Sequence, residues 1–147
     1  MHSDWRHVLE TACPGEEARY FTPMSIGDTP AAADEGAAAI LSGDKTATSS
    51  PHWEYPDGRI PFVGALSVVL DGRGRPRAIV ETVRVEIVPF GSVNGDFAHA
   101  YGEGARTLDW WRSEVGAWYR AAAARHGQDF SYETPIICEW ISVARRV

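Results

Sequence analysis

Basic charge is scarce in this chain, and lysine is nearly absent. Fourteen basic side chains stand against 20 acidic ones, for a net charge of −6 and an isoelectric point near 5.3. No global field therefore draws the chain to nucleic acid or to an anionic membrane; a nucleic-acid contact has to be local, through a groove or pocket. Cysteine is as sparse. Cys13 and Cys138 lie far apart and match no metal or redox spacing, which reads as two free thiols in a reducing compartment. His2, His7, His52, His99 and His126 form no ligand-spaced pair, so neither a metal site nor a cofactor is legible. Long uncharged apolar runs are missing, and His2-Ser3-Asp4-Trp5-Arg6 lacks the apolar core of a secretion signal. The expectation is a cytoplasmic protein with no membrane attachment. With 147 residues and no internal repeat, one domain is expected over 1–147.

The lysine that is present draws attention for this reason. Thirteen arginines serve every other basic position, and Lys45 alone is a lysine. Arginine stays protonated in any protein setting, whereas a lysine loses its proton readily on burial. Lys45 sits in Leu41-Ser42-Gly43-Asp44-Lys45-Thr46-Ala47-Thr48-Ser49-Ser50, among hydroxyls that such an amine can activate. An ordinary surface lysine is the alternative.

Around that stretch the patterning predicts a short helix at 4–10 and an irregular segment to Ile26. A helix follows from Pro30 to about Ser42, capped by Thr29 and stopped by Gly43, so Lys45 emerges where helix turns to extended chain. His52 to Pro61 reads as a loop with Trp53 and Tyr55 as aromatic anchors or stacking residues. Strands are expected at Leu66–Leu70, Ala78–Val88 and Ile136–Val143. Glu81 in the second is either a wall residue with a partner or a carboxylate turned into a cavity. A helical turn is expected at 96–101, a break at Gly102-Glu103-Gly104, and a helix from Leu108 to about Arg125 with Thr107 as its cap. Helix, strands, helix, strand is not the order of a doubly wound sheet. It fits an α+β fold, a small mixed or mostly antiparallel β-barrel flanked by helices.

Two motifs mislead. Gly43-Asp44-Lys45-Thr46 echoes a phosphate-binding loop, but a helix precedes it and Asp44 intervenes before the lysine. Arg73-Gly74-Arg75-Pro76-Arg77 echoes a minor-groove hook, yet between two strands it reads as a solvated hairpin turn.

A longer series carries more. Gly43-x-Lys45-Thr46-Ala47-Thr48-Ser49, Tyr55 with Pro61-x-x-Gly64, Val69-x-Asp71-x-x-Gly74-x-Pro76, Glu81-Thr82-x-x-Val85-x-x-Val88-Pro89-Phe90, Gly102-Glu103-Gly104 and Thr107-Leu108-x-x-Trp111-Arg112 resemble, in this order, the ASCH family. The resemblance runs from about Phe21 to the end. It implies a PUA-like fold, a small barrel with helices around a cleft, related to RNA-modification modules. It further implies a nucleoside or RNA (single-stranded or structured) as partner, and for some members hydrolysis of N-acylated cytidines such as N(4)-acetylcytidine. In those members a lysine, a threonine three residues later and a downstream glutamate carry the reaction. The first two match Lys45 as base and Thr48 as nucleophile, with Thr46, Ser49, Trp53, Tyr55, Glu81 and Arg112 as candidate ligand contacts. Where the family's glutamate stands, this chain has Tyr101, and Ala105 replaces a further acid. A tyrosine supplies no anion near neutral pH. Glu103 takes over, or Glu81 reaches in, or hydrolysis is absent and the domain binds RNA without catalysis; a ribonuclease is a third reading.

Overall fold

The computed structural model describes residues 4–147; His2 and Ser3 lie outside them. Helix α1 (Arg6–Ala12) is pinned by Leu9, which is wholly buried against Leu66, Val68 and Ile79. Truncating such a leucine to alanine costs about 2–5 kcal/mol. The stretch before Ile26, expected to be irregular, contains strand β1 (Tyr20–Met24). Its sequence Tyr-Phe-Thr-Pro-Met hides the strand, because Pro23 brings no N–H to a ladder and is tolerated at an edge.

Helix α2 (Pro30–Ser42) follows the expected bounds. Thr29 accepts a hydrogen bond from the Ala32 N–H at one end, and Gly43 closes the other at φ +88°. Strand β2 (Ala47–Pro51) comes next, then a single helical turn at His52–Glu54. Strands β3 (Leu66–Leu70) and β4 (Pro76–Pro89) form a hairpin. Helix α3 (Gly95–Tyr101) is capped by the Asn94 side chain, which accepts from the Phe97 N–H. Helix α4 (Leu108–Trp110), capped by Thr107, runs through a π-helical turn (Trp111–Val115) into α5 (Gly116–Arg125). Strand β5 (Pro135–Arg146) ends the chain.

The five strands form one mixed sheet in the order β1-β3-β4-β5-β2, with β1 parallel to β3 and every other pair antiparallel. Register shifts in β4 at Ile79/Val80 and Thr82/Arg84 curve it. The sheet is not closed: β1 and β2 stand at its two ends. Helices cover the curved sheet from several sides. One core lies under α3 to α5, built on Phe90, Phe97, Trp111, Tyr119 and Ile136; another joins α2 to the sheet through Ala37, Ile40, Val69, Val80 and Ile141. Among the described residues no helix is long and apolar enough to cross a membrane.

Candidate functional site

Lys45 owes its position to the backbone on both sides of it. Its own N–H donates to the Ala39 carbonyl of α2 (3.0 Å), and the Thr46 N–H donates to the Ala100 carbonyl of α3 (2.8 Å). Gly102 makes the close approach of the two segments possible. It has φ +72°, and a Cβ there would lie 2.1 Å from the Asp44 carbonyl oxygen and 2.7 Å from the Lys45 Cα. Held this way, the Lys45 side chain is buried; Nζ donates to the Tyr101 carbonyl (2.9 Å) and to the Glu103 carboxylate (2.7 Å). The ammonium also lies 3.5 Å from the centre of the Tyr101 ring, in cation–π contact. Burial brings the Lys45 pKa down to about 8, because the charged form loses its hydration; Glu103 pulls the other way without restoring the ordinary value.

Beside this cluster a cleft of about 950 Å³ opens along the seam where the sheet fails to close. Phe21 to Met24 of β1 form one wall and Thr48 to Ser50 of β2 the other. Trp53, Tyr55 and Trp118 bring aromatic faces, and Tyr101 stands between the cleft and the Lys45 amine. The cleft also meets Glu139 of β5, which is only 4% exposed and accepts a hydrogen bond from the Thr82 hydroxyl. Burial raises the Glu139 pKa, and the Thr82 bond offsets part of that rise. Tyr55 donates to Ser50 Oγ (3.2 Å), and burial pushes its hydroxyl up to about 12. The Ser49 hydroxyl is hydrogen-bonded to that of Tyr119. A smaller pocket next door, about 170 Å³, is bounded by Glu103, Trp110 and Trp118.

The model of the ASCH domain matches residues 22–145. This chain belongs to the ASCH domain family. Two solved structures are similar across nearly the whole length. The ASCH domain from Lactobacillus crispatus JV V101 superposes with a TM-score of 0.79 at 27% identity, covering 93% of this chain and 89% of that one. Protein EF3133 from Enterococcus faecalis V583 gives 0.77 at 27% identity, covering 97% and 86%. No curated protein matches the chain significantly. The α+β architecture is therefore that of a PUA-like ASCH domain, with an open seam in its sheet.

Within the ASCH domain the residues singled out from sequence separate into groups. Lys45, Tyr101 and Glu103 converge, and the acid that meets the lysine is Glu103. Thr48 is placed elsewhere. It pairs directly with Glu139 across the β2–β5 ladder, while Ala47 and Ser49 project to the opposite face. Among the described residues, Thr48 and Lys45 share no hydrogen bond. Thr48, Ser49, Trp53 and Tyr55 all line the cleft. Thr46 is exposed, and its hydroxyl reaches the Ala100 carbonyl at 3.4 Å. Glu81 does not face the cleft; its carboxylate lies 3.0 Å from the Arg19 guanidinium. Arg112 donates to the Gly91 (2.9 Å) and Val93 (3.4 Å) carbonyls, tying down the loop after β4.

Sequence reasoning missed Phe21, Trp118 and Glu139 as cleft residues. Glu139 had a visible signal: one acid inside the apolar run Ile136 to Ile141, opposite to what an interior strand tolerates without a partner. Phe21 had none, since its strand went unread. Among the described residues no three His, Cys, Asp or Glu side chains gather as metal ligands.

Proposed function

We propose that this ASCH domain binds a nucleoside, or an unpaired base of an RNA, in the cleft between β1 and β2. The observation that carries this reading is the composition of that seam. Aromatic faces from Trp53 and Tyr55 stand beside the hydroxyls of Thr48 to Ser50 and the buried carboxyl of Glu139. Stacking surfaces with a few placed polar groups are what a planar, polar-edged ligand needs. The volume suits a small molecule or one splayed nucleotide, and the acidic surface argues against a long phosphate track.

Hydrolysis of an N-acylated cytidine such as N(4)-acetylcytidine is the second reading. The lowered Lys45 pKa favours it, since part of the amine is neutral near physiological pH. Thr48 Oγ would attack the acyl carbon and pass its proton to the Lys45 amine. The cytidine nitrogen leaves with a proton, and water then releases the acid from Thr48. Glu103 would hold the ammonium form. For that step the amine has to leave the Tyr101 carbonyl and reach Thr48, which is why binding stands first.

Calorimetric titration with cytidine, N(4)-acetylcytidine and a short single-stranded RNA tests both. Saturable one-to-one binding with a shallow salt dependence is expected, weakened at least about fivefold by Trp53→Ala, given that base stacking contributes roughly 1–3 kcal/mol. Absence of binding to every one of these ligands refutes the cleft reading. Release of acetate that rises with pH through about 8 and disappears in Lys45→Arg supports the hydrolytic one; acetate release unchanged by that substitution removes Lys45 from it.

A further inference from the structure

The cleft contains a carboxyl that no cation among the described residues balances. Glu139 projects from the middle of β5 and is 4% exposed; the hydrogen bond to its carboxyl comes from the neutral Thr82 hydroxyl, to Oε2. No arginine or lysine among the described residues pairs with it. Thr48 lies directly across the ladder, and Tyr55 is near enough that the Glu139 charge helps raise its hydroxyl pKa. A buried acid in this state is costly when ionised and unpaired. It faces the space a ligand would enter.

We propose that Glu139 reads the pairing edge of the bound base, preferring an amidine edge, with a ring-nitrogen acceptor beside an exocyclic amino donor as in cytosine and adenine, to the edges of uracil and guanine. This inference rests on the reading of the cleft as a nucleoside site and adds the class of base. A carboxylic acid presents O–H beside C=O, and an amidine presents a basic nitrogen beside N–H. The two meet through two hydrogen bonds, and the proton can move from oxygen to nitrogen. The couple stays neutral overall wherever the proton rests, and the bond gains the strength of a charge-assisted one. That is what a carboxyl without a cation requires, and the burial that raises the pKa of Glu139 acts in the same direction.

The other edges do less well. A lactam edge, N–H beside C=O as in uracil, can also meet the acid twice, but its carbonyl is too weak a base to share the proton. The N1–H and N2–H donors of guanine call for an ionised carboxylate, which leaves a net negative charge buried with no counterion.

The test compares the affinities of cytidine, adenosine, uridine and guanosine for the wild-type domain and for Glu139→Gln. The glutamine keeps an acceptor for Thr82, and its amide can turn either its NH₂ or its C=O to the ligand. Wild type is expected to hold cytidine and adenosine at least about tenfold more tightly than uridine and guanosine, within the range of a good two-point base contact. In Glu139→Gln the four affinities should fall within about threefold of one another, a difference too small for one two-point contact to produce. Uridine or guanosine binding as tightly as cytidine to wild type overturns the inference without any appeal to the variant. A preference that survives in Glu139→Gln overturns it as well, while leaving the cleft as the nucleoside site. Failure of all four nucleosides to bind wild type brings down the cleft reading itself, and this inference with it.

Discussion

Lys45 Nζ and Glu103 Oε2, 58 residues apart in sequence, lie 2.7 Å from each other, with the lysine side chain wholly buried and the glutamate side chain one-third exposed. The pair bridges the end of α2 to the loop after α3. Gly102 makes the contact possible, because any side chain there collides with the Asp44 carbonyl. Gly102→Ala is therefore expected to destabilise the fold by about 2 kcal/mol or more, through both its positive φ and the clash. Urea denaturation of the purified variant measures this, and a change below about 0.5 kcal/mol, the usual size for an inconsequential surface site, contradicts the packing described.

The buried amine makes stability depend on pH in a definite direction. An ordinary lysine titrates near 10.5, and Lys45 in the folded chain near 8. Between those values the unfolded chain holds a proton that the folded chain has released, so stability rises with pH across that window and is flat below it. Lys45→Met abolishes this rise. The stability difference between wild type and Lys45→Met, measured at about pH 7 and about pH 9.5, should shift toward wild type by on the order of 1–2 kcal/mol. An unchanged difference means the lysine is not desolvated as described.

Arg112 was a candidate ligand contact from sequence, and its guanidinium instead holds the Gly91 and Val93 carbonyls. Arg112→Met should cost about 1.5–3 kcal/mol of stability, the range for hydrogen bonds to a charged group. Nucleoside affinity should stay within about twofold of wild type, since the residue does not line the cleft. A large loss of affinity in a variant of near-normal stability would return Arg112 to the binding site.

Glu81 likewise belongs to the framework. Its contact with Arg19 is partly exposed, and partly exposed ion pairs contribute about 0–1 kcal/mol. Glu81→Gln should leave both stability and ligand binding nearly unchanged. Loss of acetate release in that variant, if release occurs in wild type, would place the carboxylate in the reaction.

Much of this is legible in the sequence. The Thr29 and Thr107 caps, the Gly43 stop and the strand patterning place these elements, α2 and β3 at their observed bounds and β4 and β5 one to three residues short at their ends, because each carries its own local signal. β1 was not legible. Its edge position relaxes the demand for alternation, and Pro23 within it argues against a strand. That one omission hides one wall of the cleft, which β1 supplies. The lone lysine pointed correctly to a buried amine, and the Gly102-Glu103-Gly104 break to the loop that meets it. What spacing could not convey is side-chain direction. Lys45 lies just before β2 and turns to α3, while Thr48 within β2 turns to Glu139, so residues three apart serve different faces of the sheet.

The most direct test of the account is a titration of isotope-labelled protein with cytidine, followed by amide chemical shifts. The account predicts saturable shifts concentrated at Phe21, Thr22, Met24, Thr48 to Ser50, Trp53 to Tyr55 and Glu139, residues along the open seam. Shifts centred on the Arg73 to Arg77 turn, or no saturable shifts at all, would contradict it.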